Sequence, residues 1–325
     1  YREASNGLGS ALTRIFISLG AAVIALVLSI AQSAGWIKLS GGVSFPPFVE
    51  LALLLVCALM AFDVLADGLG QLAGKHFTLN TLAVFATILS IIDGISGLVN
   101  GTGTYCPLAC LLLLSAQWGS YLNRRVQAST MDVARRSKQG EALAREYAVL
   151  GKRPGVLRGE WDKQKFLAAN EVLPLPERIL RWYAAAVPVV SLVCALAFGG
   201  GKAQTVLHDW TAIVLAGTPV LLFVTVWRPW SILARQLQSC GAALAGWQGV
   251  ELLCGKLAFP ITDEDLFPGS KLKMNGVKYF GDCPPETALS YAASVILASG
   301  SGLSGVFETQ LSARNGRKYP VSNLK

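Results

Sequence analysis

The chain has 325 residues, 53% of them hydrophobic and 15% charged, with a net charge of +8 and a mean hydropathy of +0.48. Soluble domains carry about 25% charged residues, so this composition excludes an ordinary soluble domain and points to a membrane protein. The positive charge fits Lys and Arg gathered in loops on one side of a membrane better than a nucleic-acid surface, and no aromatics interleave with the charges of the basic run after Arg124.

Six stretches are long and apolar enough to span a bilayer, near residues 12–33, 48–68, 78–98, 104–122, 182–199 and 209–227. The fold class expected is an α-helical polytopic membrane protein. It has six transmembrane helices and a small cytoplasmic α/β segment at the C-terminus. The expected divisions are residues 10–122 (helices 1–4), 123–181 (a short cytoplasmic insert), 182–228 (helices 5–6) and 229–325 (a stalk helix and a partial α/β segment). Arg14, Lys75, the run from Arg124 to Lys138, Arg228 and Arg235 all fall on one side. That distribution predicts a multi-pass protein of the plasma (inner) membrane with both ends of this chain cytoplasmic. The start at Tyr1 and the polar end at Lys325 lead us to expect a fragment.

The second span ends in Asp63 to Gln71, where Gly68 and Gly70 invite a bend that lays the next turns on the membrane surface. An ordinary helix end fits those residues equally well. The third span carries Asn80, expected to cap the helix, and Asp93, expected to reach water at the outer end. The fourth span is expected to run on as one long helix to Tyr147, because apolar residues continue at helical spacing. Residues Val156 to Trp161 read as a short hairpin. Cys106 and Cys110, four residues apart, have the spacing for a soft metal, but small buried hydrophobes is the reading we adopt.

The sixth span holds Thr218 and Pro219 near its middle. Proline lacks an amide hydrogen and clashes one turn back, so the helix must open there. In hydrocarbon an opened backbone survives only where protein or a water-filled cavity covers it. It marks either a transport site or a packing kink. Beyond it come an amphipathic helix over 229–254, a short segment Lys256 to Ile261, a β-hairpin over Leu272 to Phe280 turning at Asn275-Gly276, and a helix from Ala288 to Ala298 opened by Pro284-Pro285-Glu286.

This layout resembles a heavy-metal P-type ATPase of the CPx kind. Thr218-Pro219-Val220 stands where the family has Cys-Pro-Cys. Phe259 to Leu266 stands where it has DKTGT, and Gly68 and Gly70 resemble its double-glycine kink. The resemblance places Asp263 at the phosphorylation position, with Glu264 and Asp265 where the family has lysine and threonine. Three carboxylates there repel an incoming phosphate, whose transfer depends on positioned positive charge and Mg²⁺. Neither TGE within residues 123–181 nor GDGxND before Lys325 occurs.

The expected function is therefore a non-catalytic regulatory or partner-binding membrane protein with degraded phosphorylation and metal-binding motifs. One alternative is an active ATP-driven cation transporter with divergent motifs, and it would use Mg²⁺ and ATP. Another is a passive permease or channel. Thr218, Pro219 and Thr225 are the expected transport-path residues. No cofactor or metal is assigned otherwise, and the partners expected are the lipid bilayer and a protein.

Overall fold

The computed structural model describes residues 7–35, 45–136, 141–150, 153–160, 162–171, 175–255, 257–258, 261, 272–278 and 280–322. Two units result, residues 1–142 with 159–254 and residues 143–158 with 255–325.

The first unit is helical. It contains α1 (Leu8–Ser33), α2 (Phe45–Met60), α3 (Phe62–Ala73), α4 (Leu79–Asn100), α5 (Cys106–Arg136), α6 (Lys163–Glu171), α7 (Leu175–Phe198), α8 (Ala203–Gly217), α9 (Leu222–Ser239) and α10 (Gly246–Leu253). Among the described residues, four stretches are long and apolar enough to cross a membrane: Leu8–Ser33, Leu79–Asn100, Lys163–Phe198 and Ala203–Ser239. The bent pair α2–α3 makes a fifth if it is one span. The six expected spans thus become four or five.

The stretch that drops out is residues 104–122, the start of α5. Gln117, Gly119, Ser120 and Tyr121 dilute its apolarity, and Asn123 follows directly. Its place explains why it can carry them. α5 packs against α1, α2, α4 and α9, and Cys106, Ala109, Cys110, Leu112 and Leu113 are wholly buried. Polar groups at membrane depth are tolerated where protein covers them. Lipid-facing helices look different: Phe16, Val23, Ile24 and Val27 of α1 and Val189, Val190, Val193 and Leu196 of α7 are each more than half exposed.

Several expected boundaries move. α2 and α3 meet at 74° around Ala61, not at Gly68 or Gly70. Gly68 instead lies where α3 crosses α4 closely: a Cβ there would stand 2.6 Å from the Asn80 carbonyl. The cap of α4 is Thr78, not Asn80. Thr78 and Thr81 form a capping box, while Asn80 Nδ2 donates to Asp67 Oδ2 at 2.7 Å. α5 ends at Arg136, and residues 141–150 are extended rather than helical. Pairing with a neighbouring strand overrides the local helical spacing there. The amphipathic helix expected over 229–254 is two helices, parted near Gly241, whose φ of +72° suits glycine.

The second unit, described by itself, holds all but the outer ends of a two-stranded hairpin of β1 (Glu141–Leu150) and β2 (Arg153–Glu160). Of the expected hairpin Val156 to Trp161, Val156 to Glu160 fall on β2 and Trp161 lies outside the described residues. Ala258 adds a parallel bridge to Gly155, with Val156 N donating to its carbonyl at 3.0 Å. The unit also holds α11 (Pro285–Ser299) and α12 (Ser304–Ala313), which pack on each other over Leu289, Ala293 and Leu311. α11 opens with proline at its first turn, as its sequence predicts. The hairpin expected at Asn275-Gly276 does not form: no strand occurs over 272–278 or at Phe280. A lone two-stranded hairpin is marginal in water, and this one finds no third strand among the described residues.

Candidate functional site

Three polar arrangements interrupt the apolar helices of the first unit. The first is the opening at Pro219. α8 stops at Gly217 and α9 starts at Leu222. Thr218 takes an extended backbone and is buried, with 3% exposure. Its hydroxyl donates to the Val214 carbonyl at 2.7 Å, and its amide donates to the Leu215 carbonyl at 3.2 Å. The Tyr183 hydroxyl of α7 donates to the Gly217 carbonyl. Donors from the protein therefore reach the carbonyls at Val214, Leu215 and Gly217, while Val220 N, the helical donor for Ala216, goes to the Thr218 carbonyl instead at 2.8 Å. Thr225 lies beyond the opening, exposed, with its hydroxyl donating to the Leu222 carbonyl at 3.4 Å. No hydrogen bond joins it to Thr218 among the described residues.

The second is the bend at Ala61. Gln117 of α5 donates from Nε2 to the Cys57 carbonyl at 3.4 Å, on the last turn before the bend. Just past the bend, Asp63 receives Arg14 of α1 at 3.0 Å and Arg124 of α5 at 3.3 Å. A cavity of about 30 Å³ lies beside them, lined by Arg14, Asp63, Gln117 and Arg124 among others. That is room for about one water molecule. We call this the basic end of the bundle.

The third arrangement is at the opposite ends of α4 and α5, and composition alone does not reveal it. Asp93 is 3% exposed rather than turned to water. Its Oδ1 accepts from His208 Nδ1 of α8 at 3.0 Å, and its Oδ2 accepts from the Tyr105 amide at 3.4 Å. The Tyr105 ring stacks on the His208 ring with centroids 4.4 Å apart. Burial, Asp93 and Asp209 together push the Tyr105 phenol above its ordinary value. Next to Tyr105, Thr104 donates from Oγ1 to Glu50 Oε2 of α2 at 2.6 Å. Glu50 is 1% exposed, and its Oε1 has no hydrogen-bond partner among the described residues. Two acids on different helices are thus held by adjacent residues of one loop, and a half-exposed histidine clamps the second. This is the acid end.

Asp93 was visible in the sequence as an intramembrane acid; its partner His208, 115 residues on, was not. Glu50 gave the same signal as Asp93, an acid inside an apolar helix, and follows Pro46-Pro47 by one turn. Of the other expected site residues, Asp263, Glu264 and Asp265 lie outside the described residues. Cys57, Cys106 and Cys110 are free and fully buried, and Cys106 Sγ contacts the Ser90 carbonyl at 3.6 Å. No group of three or more His, Cys, Asp and Glu side chains comes together as a metal site among the described residues.

Set against known proteins, the chain matches no family model and no curated protein. What stands is a mostly helical chain with four or five candidate membrane spans.

Proposed function

We propose that this is a multi-pass membrane protein with the layout of a cation-transporting P-type ATPase, closed at its translocation point and acting as a non-catalytic regulatory or partner-binding component. One observation carries the reading. At the Pro219 opening, where a pump of this layout holds its cargo, the hydroxyls of Thr218 and Tyr183 already occupy carbonyls that a cation would need. The acidic run Asp263-Glu264-Asp265, which sets like charges where phosphate must approach, supports the same conclusion from the sequence. In this reading α5 counts as a sixth membrane pass, shielded by its neighbours rather than by its own apolarity. Both ends of the chain lie on the cytoplasmic side, with Arg14 and Arg124.

The test is phosphorylation in membranes from cells expressing the gene. Terminally labelled ATP should leave no acid-stable label above that of Asp263→Asn. Label that disappears in Asp263→Asn restores the active transporter, with Mg²⁺ and ATP as its cofactors. A second reading, ion passage without ATP, is favoured by the buried Glu50 oxygen at the acid end, since an intramembrane acid is costly unless it serves a path. Flux into vesicles that falls in Glu50→Gln would select it.

A further inference from the structure

The acid end holds two buried acids that the fold serves unequally. Asp93 has a donor on each oxygen, His208 Nδ1 at 3.0 Å and the Tyr105 amide at 3.4 Å. Glu50, on the second turn of α2, has one donor in all, the Thr104 hydroxyl on Oε2 at 2.6 Å. Its Oε1 is buried and has no hydrogen-bond partner among the described residues. None of the ion pairs among the described residues includes Glu50.

The surroundings supply no counter-charge. On the helices packed against α2, the titratable groups toward this end are Cys106 and Cys110 of α5 and Asp93 of α4 with its His208. Both thiols feel the charge of Glu50, and Cys106 feels that of Asp93 too. Arg14 of α1, Asp63 of α3 and Arg124 of α5 pair with one another at the other end of α2. A carboxylate buried without a cation is costly, and such a group takes up a proton instead. One proton on Oε1 removes the charge and leaves the Thr104 bond as it stands. A metal ion asks for more: Mg²⁺ and Ca²⁺ take at least about six oxygen ligands. The polar side chains around Glu50 offer one hydroxyl and two thiols. Thr104 is partly exposed, and Gly101 to Gly103 before it are exposed, so the route to water runs through that loop.

We propose that Glu50 is a proton-binding site, holding a proton on Oε1 at neutral pH and exchanging it on the side of the membrane where residues 101–105 lie. This goes beyond the ion-passage reading, because the resting protein binds the proton whether or not anything crosses. A flux unaffected by Glu50→Gln would end that reading and leave this one standing.

The experiment is infrared spectroscopy of the full chain at neutral pH, in a detergent free of ester carbonyls. Exposed carboxylates are ionised there and give no carboxylic-acid band. The wild type should show a protonated-carboxyl carbonyl band that moves down in heavy water and is missing from Glu50→Gln. Saturating Na⁺, K⁺ or Mg²⁺ should leave it in place. Thr104→Val removes the donor on Oε2, so the band should persist and move to higher frequency. A wild type without the band, a band that survives Glu50→Gln, or a band abolished by one of these ions overturns the proposal.

Discussion

Gly68 and Gly70 sit two residues apart on α3, and the same substitution should have opposite effects at the two. Both become alanine, which gains helix propensity worth about 0.5–1 kcal/mol over glycine. At Gly70 the new methyl meets nothing within 4 Å, so that gain is realised. At Gly68 the methyl stands 2.6 Å from the Asn80 carbonyl oxygen and 2.7 Å from Val84 Cγ2. The first of these is backbone and cannot swing aside, so α3 and α4 must separate. Overpacking of that kind costs about 1–3 kcal/mol, which leaves a net loss of roughly 1–2 kcal/mol. At about 2–4 °C per kcal/mol, thermal unfolding in detergent should fall by roughly 2–8 °C for Gly68→Ala and rise by roughly 1–4 °C for Gly70→Ala. Equal shifts of one sign refute the close crossing of α3 and α4 at Gly68.

Three further outcomes follow from the same geometry. Gly119→Ala on α5 brings a methyl inside contact distance of the Phe223 carbonyl on α9, and should lower the unfolding temperature by an amount like that of Gly68→Ala; an unchanged midpoint contradicts the α5–α9 contact. A double-mutant cycle of Asp93→Asn and His208→Gln should give a coupling of about 0.5–3 kcal/mol, and a coupling near zero denies the 3.0 Å pair. Because the folded protein raises the Tyr105 phenol, folding favours its protonated form. That contribution is whole below the ordinary phenol value near pH 10 and is lost as pH rises from there through the raised value of the folded protein, so Tyr105→Phe should flatten the alkaline decline in stability.

The helices were legible in the sequence because apolar runs of 18 or more residues have few other uses. α1, α4, α7 and α8 begin or end within several residues of their expected limits. The opening at Pro219 was legible too, since a missing amide acts locally. α5 was read as one more span running on into a long helix, and its polar residues make sense only once neighbours enclose it. Residues 141–150 kept helical spacing, yet a partner strand decided their conformation. The acid end was hardest to read: Glu50, Asp93, Thr104 and His208 come from four places in the chain, and only tertiary contact joins them. The donors that fill the opening divide in the same way. Thr218 was noted beside its proline, whereas Tyr183 lies 34 residues from the carbonyl it serves.

Equilibrium dialysis of the purified full chain against labelled K⁺, Mg²⁺, Mn²⁺ and Zn²⁺, repeated with Thr218→Val, probes the closed opening itself. If the carbonyls at Val214 and Gly217 are satisfied by Thr218 and Tyr183, none of these ions should show stoichiometric binding that depends on Thr218. A saturable site, one ion per chain and lost in Thr218→Val, would mean that the opening at Pro219 holds cargo.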